Sequence, residues 1–196
     1  MNVANKLTCL RIILAPVFLI VYFLPGSFAF WTIPVLWVIF IVSEITDYLD
    51  GLAARKLNLT SDFGKLFDPF ADTLVQITYF LCFVIDDVWN GGILPVILFV
   101  LVIYREFGII FLRNLMLRKG AALGARMGGK IKTVAYIIAV GAALLAATLE
   151  RLAVFESFLP YIKAGALIIF IISVGIAVVS FIDYVLIYKK QEINND

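Results

Sequence analysis

The sequence predicts an all-α membrane protein with six transmembrane helices and with its N- and C-termini in the cytoplasm. Three observations predict this fold class: the composition, six apolar segments, and an uneven distribution of positive charge. Hydrophobic residues fill 63% of the 196 positions and only 15% are charged, with a mean hydropathy of +1.05. A soluble domain holds about 45–50% apolar and about 25% charged residues. A chain this short also keeps roughly a third of its unfolded surface exposed, so it cannot hide that many apolar residues from water.

Six stretches are long and apolar enough to be membrane segments, since a spanning helix needs about 20 mostly apolar residues. Their approximate bounds are 10–24, 30–50, 67–85, 93–112, 131–149 and 164–187. The apolar run of the first segment follows Lys6 and Arg11, as the apolar run of a signal peptide follows basic residues. It ends in Leu24-Pro25-Gly26-Ser27, however, which is a poor cleavage site. The connections are short and no linker or internal repeat interrupts the chain. Residues 1–196 are therefore predicted to form a single membrane domain.

The positive residues predict the orientation of these helices. With the N-terminus inside, thirteen of the sixteen Lys and Arg residues fall on the cytoplasmic side, and Arg151 and Lys163 fall outside. Arg105 lies within a predicted helix. Cytoplasmic loops of membrane proteins carry an excess of Lys and Arg. We therefore predict a multi-pass protein of the cell membrane.

The residue types present limit the chemistry. The sequence contains no histidine, which removes the commonest general base and the commonest transition-metal ligand. Cys9 and Cys82 both lie in apolar stretches, so a structural disulfide is not expected. The apolar composition excludes a basic nucleic-acid binder, and the net charge of +2 says little about partners. Carboxylates, lysines, arginines and hydroxyls remain as reactive groups.

Acidic residues gather at one end of the second and third predicted helices. Asp47 and Asp50 lie on one helical face with Gly51, and Asp68 and Asp72 are one turn apart. Ionisable groups within a spanning segment cost about 2.5–3.5 kcal/mol each on insertion scales, which favours a functional role. The loop between the two helices is short, so the helices are predicted to be antiparallel neighbours. The four carboxylates then converge near the cytoplasmic boundary.

Four carboxylates in one small space repel one another and tend to take up protons. One or two divalent cations would remove this repulsion. Ligand sets made only of oxygen select hard ions such as Mg²⁺, Ca²⁺ or Mn²⁺. A solvated helix end with ordinary boundary charges would explain one or two acids at such a place. It does not explain four on two facing surfaces.

At these residues the chain resembles the CDP-alcohol phosphotransferase family. The stretch Asp47-Tyr-Leu-Asp50-Gly51-Leu-Ala-Ala54-Arg55 is followed by eight residues, Gly64, three residues, Asp68, three residues and Asp72. All eight fixed positions of the family signature are present at the family spacing. Members of this family displace CMP from a CDP-linked lipid or alcohol with the hydroxyl group of a second substrate. The family fold is also a six-helix bundle.

The resemblance implies roles for matching residues. It implies two Mg²⁺ or Mn²⁺ ions, one held by Asp47, Asp50 and Asp68, the other by Asp47, Asp68 and Asp72. Asp72 would also be the general base for the attacking hydroxyl group. The residues that would contact CDP-diacylglycerol are Asn5, Thr8, Gly51, Arg55 and Ser61. A homodimer is implied by the resemblance alone.

Cations in the second half of the chain favour an acceptor that carries its own phosphate, because such a dianion needs direct charge partners. They are Arg105, Arg113, Lys130 and Lys132. The cytoplasmic excess of positive charge would also account for several loop cations, but poorly for Arg105 inside a helix. No site role is assigned to Glu106, a candidate ion-pair partner of Arg105.

The chain is also similar to one branch of the family, the bacterial phosphatidylglycerophosphate synthases. They transfer the phosphatidyl group of CDP-diacylglycerol to glycerol-3-phosphate. The matching pieces are the start Asn5-Lys-Leu-Thr8-Cys-Leu-Arg11-Ile, then Arg105-Glu106 with Leu112-Arg113, and Gly129-Lys130-Ile-Lys132-Thr133. Thr73 departs from the branch pattern, which usually has Lys there. Inositol phosphate and phosphatidylglycerol therefore remain alternative acceptors.

A divalent-cation transporter is the competing interpretation from another class. Acidic residues at the membrane midplane and broken helices would favour it. Here the acids lie near helix ends, and the neighbouring Arg55 suits phosphates better than a cation pathway. The sixth segment contributes only Asp183, so no line of acidic residues crosses the predicted membrane.

Overall fold

The computed structural model describes the backbone of residues 3–57, 62–118 and 127–193, and the side chains of residues 6–49, 67–116 and 128–189. All regular structure within these ranges is helical, with no strand, as the composition predicts. A short 3₁₀ turn at Gly26–Phe28 separates the first two long helices. The long helices are α1 Val3–Tyr22, α2 Ala29–Leu57, α3 Asp62–Ile85, α4 Ile93–Arg118, α5 Met127–Arg151 and α6 Leu159–Ile193.

The helices extend beyond the apolar segments that predict them. The helix α2 continues to Leu57, although its apolar segment was predicted to end near residue 50, and α4 continues to Arg118. Hydropathy falls where polar residues begin, whereas the i to i−4 hydrogen bonds continue through polar residues equally well. The polar residues of the predicted site therefore lie on the ends of continuous helices.

Five helices in the described part of the chain are long and apolar enough to cross a membrane. The candidate spans are Gly26–Leu49, Phe67–Ile85, Ile93–Met116, Gly128–Arg151 and Leu159–Lys189. The all-helical, multi-pass architecture is thus confirmed. The sixth span, predicted in α1, and the cytoplasmic location of both termini stay predictions.

The chain forms two compact units. One contains Met1–Asp86 and Ala147–Leu159, and the other contains Asp87–Ala146 and Pro160–Asp196. The first unit therefore comprises α1, α2, α3 and the end of α5, and the second comprises α4, most of α5 and nearly all of α6. All four predicted site aspartates belong to the first unit.

Aromatic side chains form the core of the first unit, where α1 packs against α2 and α3. The ring of Phe18 meets that of Tyr79 edge-on at 4.5 Å between centroids, and Phe40 meets the same tyrosine at 5.9 Å. Tyr22 packs edge-on against Phe83 at 5.7 Å. Such pairs stabilise a fold by about 0.5–1.5 kcal/mol each beyond their area burial. They fix α3 against α1 and α2.

Arg151 caps the C-terminal end of α1. Its Nη2 donates to the backbone oxygen of Tyr22 at 2.9 Å, and its guanidinium lies 4.1 Å from the centre of the Tyr22 ring. The Tyr22 hydroxyl donates to Asp86 at 2.8 Å. The last carbonyls of a helix have no partner within the helix, so this contact satisfies one of them. The end of α1 is thereby tied to α3 and α5.

Close packing between α4 and α6 depends on a glycine in the second unit. A Cβ atom at Gly108 would lie 2.7 Å from Cζ of Phe181. The adjacent core contains Ile109, Leu112 and Tyr184. Without a side chain at Gly108, the Phe181 ring can approach the backbone of α4.

We predict that Gly108→Ala destabilises the protein by about 1–3 kcal/mol, because the added methyl group overlaps the Phe181 ring. Gly175→Ala on α6 is the matched control, since a Cβ there meets no described atom within 4 Å. This control should be neutral or stabilising by up to about 1 kcal/mol, as expected for Gly to Ala in a helix. Thermal unfolding in one detergent would measure both changes, and equal changes would contradict the packing role of Gly108.

Candidate active site

Three helices of the first unit bring polar side chains together. The helix α1 contributes Thr8 and Arg11, α2 contributes Asp47, and α3 contributes Asp68 and Asp72. Thr8 and Arg11 are three positions apart, so they lie on the same face of α1. That face is turned toward the carboxylates of α2 and α3.

Arg11 joins two of the predicted metal ligands. Its Nη1 donates to Oδ1 of Asp47 at 2.6 Å and also to Oδ1 of Asp72. The arginine is 2% exposed, whereas the two carboxylates are 39% and 41% exposed. The guanidinium thus lies beneath the carboxylates, which keep their outer surfaces accessible.

Thr8 fixes the third carboxylate. Its hydroxyl donates to Oδ1 of Asp68 at 2.5 Å, and the threonine itself is fully buried. The sequence placed Thr8 among the predicted contacts to the CDP group. In the structure it orients Asp68.

The remaining predicted residues of this site are outside the described side chains. The backbone of Asn5, Asp50, Gly51 and Arg55 is helical, but their side chains lie outside the described part, as does Ser61 entirely. Their assignments stay predictions. The structure brings together Asp47 and Asp72 through Arg11, and Asp68 with Thr8.

The described donor set suits a hard metal ion by its chemistry. It consists of carboxylate oxygens with a neighbouring hydroxyl group, and such ligands suit Mg²⁺ and Mn²⁺. Two acceptors of one donor nitrogen lie within about 6 Å of each other, so Asp47 and Asp72 are close enough to share a cation. Among the described residues, no group of three His, Cys, Asp or Glu residues is close enough to hold a metal ion. Asp50 is outside that comparison.

A second cluster of charges lies in the other unit and contains two predicted acceptor-binding residues. Glu106 accepts from Nη1 of Arg105 at 2.9 Å and pairs with Nζ of Lys132 at 2.8 Å. All three residues are buried. Nζ of Lys132 also lies 4.3 Å from the centre of the Tyr136 ring. The carboxylate of Glu106 thus pairs with two cations, Arg105 from its own helix and Lys132 from α5.

The other two predicted acceptor cations differ from this pair in exposure. Lys130 is exposed at the start of α5, and Arg113 is half-buried on α4. Their predicted contact with an acceptor phosphate stays a prediction. Both can reach a ligand at less cost than Arg105 and Lys132, which hold an ion pair already.

Sequence reasoning missed Arg11 and gave Glu106 no role. Arg11 was counted as a cytoplasmic cation and quoted in the branch-like start of the chain, but it was given no role at the site, although it lies one turn after Thr8. The cost of a charge in an apolar helix was applied to Arg105, and the same reasoning would have selected Arg11. For Glu106, the adjacent Arg105 was a signal for one partner, but nothing local pointed to Lys132.

Comparison with known proteins identifies the family to which the chain belongs. Residues 1–187 match the family described as CDP-alcohol phosphatidyltransferase, so the chain belongs to that family. The match covers nearly the whole chain. The family predicted from the aspartate signature is confirmed, and the chain is therefore a member of a transferase family.

Several of the similar proteins share one name. The CDP-diacylglycerol–glycerol-3-phosphate 3-phosphatidyltransferase of Treponema pallidum (strain Nichols) is 39% identical over 150 residues, which are 74% of this chain and 66% of that protein. The protein of the same name from Bacillus subtilis (strain 168) is 39% identical over 74% of this chain and 77% of its own. That from Haemophilus influenzae is 30% identical over 99% of this chain and 97% of its own. The alignment thus spans slightly less than two thirds of the Treponema protein.

Proposed function

We propose that this protein transfers the phosphatidyl group of CDP-diacylglycerol to glycerol-3-phosphate, giving phosphatidylglycerophosphate and CMP. The observation that supports the proposal best is the similarity to relatives of that name, which reaches 99% coverage of this chain. The aspartates of α2 and α3 that meet at Arg11 support the site of the chemistry. The buried cations Arg105 and Lys132 beside Glu106 support an anionic acceptor.

In the proposed reaction, a hydroxyl oxygen of glycerol-3-phosphate attacks the phosphorus that carries diacylglycerol. The bond between this phosphorus and the CMP oxygen breaks, and CMP leaves with the electron pair. Asp72 accepts the hydroxyl proton as the new bond forms. Its carboxylate is 41% exposed, so an incoming hydroxyl group can reach it. A correctly placed base contributes typically 10²–10⁴-fold to the rate.

We further propose that Asp47, Asp50, Asp68 and Asp72 hold two Mg²⁺ or Mn²⁺ ions. Bound divalent ions neutralise phosphate charge and orient both reacting oxygens. Thr8 would keep Asp68 in a fixed rotamer through its hydrogen bond. Arg55, Gly51, Ser61 and Asn5 would contact the CDP group, as the family resemblance implies.

For the acceptor, we propose that Lys130 and Arg113 bind the phosphate of glycerol-3-phosphate. Arg105 and Lys132 would supply the positive potential around it, with Glu106 holding their side chains in place. This division follows from exposure, because buried and already paired cations have fewer free donors for a ligand than exposed ones.

Other acceptors remain alternatives with the same chemistry. Thr73 departs from the branch pattern, so inositol phosphate and phosphatidylglycerol stay open. The divalent-cation transporter is disfavoured, since the chain belongs to a family of transferases. We also propose a homodimer in the cell membrane, with six spanning helices and the active site facing the cytoplasm.

The proposal predicts metal-dependent release of CMP. Purified protein mixed with CDP-diacylglycerol, glycerol-3-phosphate and Mg²⁺ or Mn²⁺ should release CMP and form phosphatidylglycerophosphate. The measurement is chromatography of both products across an acceptor panel of glycerol-3-phosphate, inositol, inositol phosphate, serine and phosphatidylglycerol. Excess EDTA should abolish turnover, and added metal should restore it.

Two results would contradict different parts of this proposal. Full activity in excess EDTA would remove the metal ions from the mechanism. Faster turnover with another acceptor would retain the chemistry but change the substrate. Asp68→Asn should lose metal binding and turnover together, because Asp68 is proposed to bridge both ions.

A second prediction separates Asp72 from Asp50. Asp72→Asn should lower turnover by at least about a hundredfold, as expected for a lost base, yet leave much of the affinity for CDP-diacylglycerol. Asp50→Asn should weaken donor binding itself, because it removes a ligand of the first metal ion. Turnover and CDP-diacylglycerol binding would be measured for both variants. Equal loss of donor binding would make Asp72 a structural ligand.

A third prediction concerns the acceptor cations. Lys130→Ala and Arg113→Ala should each raise KM for glycerol-3-phosphate by about ten- to a hundredfold, since each removes a charge-assisted hydrogen bond. KM for CDP-diacylglycerol should change little. Lys189→Ala is the matched control, because it removes an exposed cation near the end of α6 that has no proposed role. If this control raises the acceptor KM equally, the effect arises from general surface charge.

A further inference from the structure

Arg11 occupies an unusual position among the proposed metal ligands. It is a buried cation on α1 whose single Nη1 atom contacts carboxylates from two other helices, Asp47 on α2 and Asp72 on α3. No role for it follows from the motif, which begins at Asp47.

Two carboxylates that approach one nitrogen this closely repel each other unless a cation lies between them. A buried guanidinium also loses hydration, and only close ion pairs compensate for that loss. The guanidinium of Arg11 and the two carboxylates therefore stabilise one another. Removal of the arginine would leave two negative charges within about 6 Å.

We propose that Arg11 competes directly with the divalent ions for Asp47 and Asp72. This inference rests on the proposed function, in which the same carboxylates are metal ligands. An oxygen that accepts a hydrogen bond from Nη1 presents the same lone pairs that a metal ion would take. A metal ion that takes Oδ1 of either aspartate must then weaken or break an Arg11 contact, while Oδ2 of each carboxylate keeps its own lone pairs.

This competition affects two properties in opposite directions, the stability of the folded protein and its affinity for metal. The arginine stabilises the folded protein without metal, because it neutralises the carboxylates and joins three helices. It also weakens metal affinity, because part of the binding energy is used to displace it. Arg11 is thus a positioning residue that keeps the carboxylates together until the metal arrives.

Arg11→Met tests both consequences, since methionine retains the length and apolar stem but no charge. The Kd for Mn²⁺ would be measured by electron paramagnetic resonance of free Mn²⁺, with no substrate present. We expect the variant to bind Mn²⁺ at least about tenfold more tightly, the effect of losing a competing charge-assisted hydrogen bond. In EDTA its melting temperature should fall below that of the unchanged protein.

Lys6→Met is the matched control. It removes the same charge from the same helix, but Lys6 is exposed. Its Kd for Mn²⁺ should stay within about twofold, because charges on the surface are screened by salt. An equal tightening in Lys6→Met would assign the effect to net charge and overturn the proposal.

Two further measurements complete the test, and the second does not depend on the stability of Arg11→Met. Arg11→Lys keeps the charge as a single ammonium group without the planar fork of arginine, so it should tighten Mn²⁺ binding by less than Arg11→Met does. The second measurement is NMR of the unchanged protein labelled with ¹⁵N-arginine. As Mg²⁺ is added, the signal of the Arg11 guanidinium should change from that of a restrained group to that of a mobile group. That signal is assigned by its absence from Arg11→Lys.

The outcomes separate this inference from the proposed function. If the unchanged protein binds no Mn²⁺, the metal-dependent mechanism fails, and the competition fails with it. A different outcome is that the unchanged protein binds Mn²⁺ and Arg11→Met binds it equally or more weakly. That result overturns only the competition, and it means that Arg11 supports the metal ligands when the ion is bound. An Arg11 signal unchanged by Mg²⁺ would also overturn it.

Discussion

The arrangement of the first unit depends on balancing negative charge at the end of apolar helices. Asp47 and Asp72 lie on different helices and approach a common point, which is unfavourable without a cation between them. Arg11 supplies this charge from a third helix, at 2.6 Å from Asp47. The position of α1 between α2 and α3 follows from this requirement as much as from apolar packing, because the carboxylates and the guanidinium must meet.

Aromatic contacts and the Arg151 cap hold the rest of α1. Phe18 meets Tyr79 in the core, and Arg151 binds the carbonyl at the end of the helix. The helix is therefore held along its length by apolar packing and near its ends by charged groups. Such a helix presents Thr8 and Arg11 to the carboxylates in a fixed register. Carboxylates arranged in this way are already close together before any ligand arrives, which reduces the ordering that binding must supply.

In the second unit, a negative charge balances buried positive charges, which is the reverse of the arrangement in the first unit. Arg105 and Lys132 are buried on neighbouring helices, and Glu106 lies between them. Breaking a buried ion pair by removing one partner is strongly destabilising, since the other charge is left uncompensated. The two buried cations of this cluster are consistent with an acceptor that carries a phosphate group, as the proposed function requires.

Much of the molecule could be predicted from the sequence because the relevant signals are local. Apolar length predicts the helices, and the fixed spacing from Asp47 to Asp72 indicates the family, which the match over residues 1–187 confirms. The ends of the helices were predicted less well, since hydropathy reports the apolar surface and not the hydrogen bonds that continue to Leu57 and Arg118.

The partners of the charged residues could be found only in the tertiary structure. Arg11 lies 36 positions from Asp47 and 61 from Asp72, and the sequence alone does not say which charges meet across such separations. The same holds for Lys132 with Glu106. Charge balance in an apolar protein requires that buried ions find partners, but helix packing decides which partners they find. The sequence by itself therefore determined the fold class, the family and the residues that carry charge, while the tertiary structure decided how those charges are paired.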